Sequence, residues 1–124
     1  MKRKADSFRQ ALKALEQACE SEIKEDRDVS GIIHEFVVTF EVCWKFLKAY
    51  LESEGHETST ARSVFKTAYQ LGIIDNENAW LEMIENRNLS VHTYNKALAS
   101  DMVDKIKNIF LQEFLILDKK VVID

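Results

Sequence analysis

Nine consecutive residues, Asn86-Arg87-Asn88-Leu89-Ser90-Val91-His92-Thr93-Tyr94, gather an arginine, two asparagines, a histidine and a tyrosine. Arg87 carries a permanent cation whose planar fork of donors matches a phosphate. His92 belongs to the one side-chain type that titrates at roughly pH 6.5, so it can take and return protons near neutrality. RNA brings its own nucleophile, the 2′-hydroxyl. A phosphate clamp beside a proton shuttle is therefore a minimal set of groups for cutting it. Arg87 and His92 are the candidate catalytic pair, with Asn88 and Ser90 as candidates to position groups around them. The structural alternative is that the histidine bonds a carbonyl near a helix end and the arginine pairs with Glu82, Glu85 or Asp101.

The stretch follows an amphipathic run, so its geometry is that of a helix or a helix end. At 100° per residue Arg87 and His92 lie about 140° apart, which does not put them on one face. Asn88 and His92, four apart, do share a face. The two candidate groups meet only if Arg87 uses its full length, or if the helix ends or bends near Ser90.

The elements that must hold this stretch are legible from apolar spacing. Phe8, Leu12, Leu15, Cys19 and Ile23 form one stripe of a first helix, from about Asp6 to Asp26, closed by the charged run Glu20 to Asp28. A second helix, capped by Asp28 or Ser30 and reaching about Glu54, presents Ile33, Phe36, Val37, Phe40, Trp44, Leu47 and Leu51 on one face. It is the most apolar segment and is expected at the centre, with Gly55 stopping it. Thr60 and its neighbours can cap a short third helix, Ala61 to Leu71, which Gly72 ends. Ile73-Ile74-Asp75 reads as a staple and cap for a fourth helix that carries Trp80, Leu81, Ile84 and then the polar pair Arg87 and Asn88. Asn95 can cap a last helix, Lys96 to about Asp118, with the apolar tail Val121 to Asp124 beyond it. The expected fold is all-α: an up-and-down antiparallel bundle of four long helices and one short one, in a single domain spanning 1–124.

Composition agrees. The chain has 124 residues, 46 % of them hydrophobic, with no proline and three glycines. Sheets need more turns than those residues can supply. No run of 18 apolar residues exists, so no membrane span is expected. Asp6, Ser7, Arg9 and Gln10 stand where a secretory leader would be apolar, and a cytoplasmic protein is expected. Cys19 and Cys43 sit among apolar neighbours and read as reduced core thiols. His34, His56 and His92 are scattered without metal-ligand spacing, and no glycine-rich phosphate loop exists, so no metal or cofactor is expected. The net charge of −4 excludes a broadly basic nucleic-acid surface; RNA would have to be met in a local cleft.

Arg87-Asn88, three residues, then His92-Thr93-Tyr94 matches the R-x4-H-x-Y form of the HEPN signature. Phe40-Glu41-Val42-Cys43-Trp44-Lys45, Gly55, Ala61-Arg62, Phe65, Gly72-Ile73-Ile74-Asp75 and Trp80 further resemble the nucleotidyltransferase substrate-binding proteins, which overlap the HEPN toxins of the MNT/HEPN toxin–antitoxin pairs. The resemblance runs from about Phe8 to Leu117. It implies a homodimeric helical bundle and a small nucleotidyltransferase partner. In toxin members of this type VII-like arrangement it implies metal-independent endoribonuclease activity by Arg87 and His92. It further implies adenylylation of Tyr94 by the partner, which silences the toxin. One departure is visible: many members carry Asp before the arginine, where this chain has Asn86. The alternative function is a non-catalytic substrate-binding or adaptor subunit of the nucleotidyltransferase. RNA is the expected substrate of the first reading; DNA and membranes are not expected partners.

Overall fold

The computed structural model describes residues 1–121. Helix α1 spans Lys2–Glu20, α2 Asp26–Ser53, α3 Ala61–Gln70 and α4 Glu77–Leu89. A 3-10 turn, Ser90–His92, leads to α5, Lys96–Lys105, which continues through a π-helical stretch, Ile106–Phe110, into α6, Leu111–Val121. No strand occurs among the described residues. The all-α bundle is as expected, with α5 to α6 acting as one long final rod. Of the apolar tail, Val121 closes α6 and the remainder lies outside the described residues.

The helix ends show how local chemistry sets the elements. Gly55 and Gly72 take φ of +88° and +75°, the left-handed conformation that stops a helix cheaply only at glycine. At the first, the His56 amide donates back to the Leu51 carbonyl at 2.8 Å; at the second, Ile73 donates to Ala68 at 2.9 Å. Thr60 caps α3 and Asn95 caps α5, as their positions suggested.

Three boundaries differ from the sequence reading. The charged run does not close α1, which stops at Glu20. Asp26 to Asp28 already belong to the first turn of α2. Glu25 is the cap, and Asp28 reaches back to accept the amides of Lys24 at 2.9 Å and Glu25 at 3.0 Å. Those two amides hold the Asp28 carboxyl below the usual aspartate range. Ile23 therefore leaves the apolar stripe and is exposed. Asn76, not Asp75, caps α4 by accepting the Ala79 amide at 3.2 Å; Asp75 pairs instead with Lys120 at 2.8 Å. The π-helical stretch interrupts the last helix. Ile106, Phe110 and Phe114 are all buried at spacings of four, and an α-helix turns about 40° too far at each such step. One wider turn, with the Leu111 amide bonding the Ile106 carbonyl, corrects the phase and keeps all three inward.

The core is aromatic. Phe36 stacks on Phe110 with ring centroids 5.4 Å apart, and Trp80 meets Phe65 at 5.0 Å and Phe114 edge-on at 5.5 Å. The buried Trp80 indole donates to the Glu113 carboxylate at 3.2 Å, so its polar atom is satisfied. Thr39, fully buried on α2, lies within 2.7 Å of the Glu35 carbonyl and 3.2 Å of the Ala11 carbonyl, tying α2 to α1. Trp44 and Val37, expected inside, are only half-buried at the margin of α2. Both cysteines are free thiols; burial raises the Cys43 pKa well above the usual thiol range and raises that of half-buried Cys19.

Candidate functional site

The candidate stretch lies where α4 gives way to α5. Asn86 and Arg87 occupy the last turn of α4, and the chain then tightens into the Ser90–His92 turn. Of the two alternatives the sequence left open, the helix end near Ser90 is the one observed, and side chains build it. The Ser90 hydroxyl donates to the Arg87 carbonyl at 2.6 Å, the Thr93 hydroxyl to the Ser90 carbonyl at 3.1 Å, and the Asn95 amide to the His92 carbonyl at 3.1 Å. The Arg87 carbonyl thus accepts both the Ser90 amide and the Ser90 hydroxyl, and the other two bonds engage carbonyls of the turn that follows the helix. Ser90, a candidate positioning residue, thus acts on the backbone beneath Arg87.

Two clusters result. In the first, Arg87 turns back toward α2, where its Nε lies 3.7 Å from Oε2 of Glu41. That is ion-pair range but too long for a hydrogen bond, and the buried Nε has no hydrogen-bond acceptor among the described residues. The same Glu41 oxygen accepts the Trp44 indole N–H at 3.3 Å, one helical turn away. Among the described residues the terminal guanidinium nitrogens make no hydrogen bond, and the ion pair of the group is with Glu41. In the second cluster, His92 and Tyr94 stand exposed on the turn. Their rings meet edge to face at 5.9 Å, with the phenol oxygen 3.5 Å from Nδ1. Tyr94 is 82 % exposed, and the apolar Leu89 and Val91 beside it are also exposed.

The structure brings Arg87 to Glu41 and His92 to Tyr94. No hydrogen bond joins Arg87 to His92 among the described residues. Asn88 is exposed and makes no side-chain hydrogen bond among them. Asn86 is 4 % exposed, its amide donating to the Glu82 carbonyl at 2.9 Å. Of the acceptors suggested for Arg87, Glu82 and Asp101 both pair with Lys105, at 3.6 and 3.4 Å, and exposed Glu85 makes no ion pair among the described residues. From the sequence, Trp44 has only a core role and Glu41 only a place in the family resemblance; neither is assigned to the site. The available signal was a carboxylate one turn before a tryptophan on the margin of an apolar helix.

Beside Tyr94 lies a groove of about 360 Å³ between the first turns of α2 and α5. Lys96 and Asp26 pair across its rim at 3.4 Å. Among the described residues no helix is long and apolar enough to cross a membrane, and no group of three metal-ligating side chains converges.

A small helical bundle that braces an arginine, an exposed histidine and an exposed tyrosine where its fourth helix ends defines the protein's class. A family model described as nucleotidyltransferase substrate binding protein like matches residues 3–122, and the chain belongs to that family. It is 22 % identical over 102 residues to a probable ribonuclease HepT of Haemophilus influenzae, covering 78 % of this chain and 70 % of that protein. A solved protein of Thermus thermophilus has 29 % identity and a TM-score of 0.82 over 89 % of this chain and 94 % of its own. A second solved protein, from Haemophilus influenzae, is described as revealing the fold of a substrate-binding domain of a nucleotidyltransferase. It shares that fold at a TM-score of 0.85, with 21 % identity over 96 % of this chain and 99 % of its own.

Proposed function

We propose that the protein is a HEPN-type endoribonuclease toxin that needs no metal and is held in check by a partner nucleotidyltransferase. The observation that carries this reading is the turn itself. An exposed imidazole stands five residues after an arginine whose terminal nitrogens make no hydrogen bond among the described residues, on a backbone braced by Ser90, Thr93 and Asn95. The name of the Haemophilus influenzae relative, a probable ribonuclease, points the same way.

In this reading Arg87 binds the scissile phosphate and offsets charge growing on its oxygens. The 2′-hydroxyl oxygen attacks phosphorus, its proton passes to an imidazole, and the 5′-oxygen leaves with a proton. The products are a 2′,3′-cyclic phosphate and a free 5′-hydroxyl. One histidine cannot be both base and acid in a concerted step. A two-fold dimer that faces two such turns supplies both, and the exposure of His92, Val91 and Tyr94 leaves the turn open to a second copy. Asn88, exposed on the last turn of α4, is the proposed positioning residue for the phosphate.

Tyr94 is the proposed point of control. Its phenol oxygen attacks the α-phosphorus of ATP on the partner enzyme, pyrophosphate leaves, and the phenol proton passes to a base. The attached AMP sets a negative charge and a bulky group beside His92. The second reading is a non-catalytic adaptor of the nucleotidyltransferase. The Glu41 carboxylate beside Arg87 and the acidic net charge of −4 favour it.

Expression of wild type and His92→Ala decides between the two. Growth arrest and EDTA-insensitive RNA cleavage by wild type alone support the toxin. Equal growth, with partner binding retained by both, establishes the adaptor. Intact-mass analysis with the cognate nucleotidyltransferase and ATP tests the switch: one AMP on wild type and none on Tyr94→Phe is expected, and equal addition to both refutes it.

A further inference from the structure

We infer that the groove between the first turns of α2 and α5 is a nucleobase subsite flanking the scissile phosphate; this rests on the nuclease reading of the neighbouring turn. The groove holds about 360 Å³, toward the lower end of the roughly 300–1,000 Å³ that small-ligand pockets occupy. Its make-up suits a flat heterocycle with polar edges. Val29 and Ala99 supply apolar surface, and the exposed Tyr94 ring stands at one side. Every base offers a π-face to such a ring, whatever its sequence.

The polar rim is equally permissive. The hydroxyls of Ser30 and Ser100 have no partner among the described residues and can donate or accept. The Thr93 hydroxyl already donates its hydrogen bond to the Ser90 carbonyl and offers only an acceptor. Such a rim accepts any base rather than selecting one. Lys96 lies at the mouth, where a neighbouring phosphate of the strand would pass. Its pairing with Asp26 is between side chains 84 % and 83 % exposed, and a pair so open to water is readily exchanged for a phosphate.

Position connects the groove to the chemistry. Tyr94 lines the groove and also touches His92 edge-on, 5.9 Å between ring centroids. A nucleotide whose base rests on Tyr94 therefore keeps its ribose near the imidazole. Weak, sequence-tolerant stacking beside a local phosphate clamp is also how an acidic protein can hold a short RNA segment without a basic surface.

The test uses the full chain and two probes. A 2′-O-methyl RNA tetranucleotide, which lacks the nucleophile, is titrated into labelled protein and followed by amide chemical shifts. Shifts at Thr93, Lys96 and Ser100 are expected, and their absence overturns the subsite even if RNA is cut. Ser100→Trp, at an exposed rim position, fills the groove. For cleavage of a short RNA it should raise KM about tenfold, the loss expected from one stacked base, while kcat stays within about twofold. A circular-dichroism melt checks its fold, and Ser30→Trp provides a second filling variant. Unchanged KM in both folded variants refutes the inference and leaves the nuclease reading standing. Shifts at the groove in a wild type that cuts no RNA support the subsite while the nuclease reading fails. Variants that cut RNA normally but no longer bind the nucleotidyltransferase assign the groove to the protein partner, and the inference falls.

Discussion

Replacing Glu41 with glutamine isolates what holds Arg87. The two charges lie 3.7 Å apart. Coulomb's law gives about 1 kcal/mol at that distance in water and about 4–5 kcal/mol at an effective dielectric of 20. The Arg87 and Glu41 side chains are 33 % and 35 % exposed, so screening and side-chain entropy bring the net value toward the lower figure, about 1 kcal/mol. Glutamine keeps the length and the oxygen that accepts the Trp44 N–H, removing little but charge. Glu41→Gln should therefore lower the melting temperature by about 3–5 °C. Glu41→Ala also orphans the Trp44 indole and should cost about 1–2 kcal/mol more. A double-mutant cycle of Glu41→Gln with Arg87→Gln, read by urea denaturation, should return a coupling of about 0.5–1 kcal/mol. A coupling near zero would refute the pairing. If Glu41 positions Arg87 for phosphate, Glu41→Gln should also lower kcat/KM for RNA about tenfold at temperatures where it remains folded. A rise in activity would show the carboxylate competing with phosphate for the cation, contrary to that role.

Other consequences are simpler to read. His92→Ala, at an exposed position, should abolish cleavage while changing stability by no more than about 0.5 kcal/mol; a large melting shift would mean that the ring is structural. Phe114→Ala removes a fully buried ring that meets Phe8, Phe36 and Trp80, and should cost about 3–5 kcal/mol in chemical denaturation. Asp28 has a depressed folded pKa, so its contribution is fully present above the unfolded aspartate value of about 3.9 and is lost as pH falls through the folded value. Wild type should accordingly melt above Asp28→Asn at neutral pH, with the gap closing in acid below the ordinary aspartate range; a gap constant with pH would remove Asp28 from the account.

The distinction between what was and was not legible follows the range of the interactions. Helix existence, the stops at Gly55 and Gly72, the caps at Thr60 and Asn95 and most of the core stripe are written in neighbours three or four residues apart. Those contacts form within one helix, and periodicity records them. Glu25 was not legible as the cap of α2 because glutamate is an unusual cap, and Asp28 looked like the better one from its type alone. The π-helical turn in the last rod was hidden for a related reason. A stripe spaced by fours drifts only about 40° per step on an α-helix, within what an apolar face tolerates, and the need to bury Phe110 and Phe114 against α2, α4 and α1 selects the wider turn.

The sequence by itself determined an all-helical chain and the residue types gathered from Asn86 to Tyr94, and left open whether the helix runs on or bends near Ser90. Only the tertiary structure decided that Arg87 leans on Glu41 and Trp44 of the central helix, that His92 stands open beside Tyr94, and that α2 and α5 leave a groove next to them. The physical reason is that side-chain ion pairs and grooves belong to surfaces brought together by burial of the core, and helical spacing carries no record of which distant helix will lie opposite.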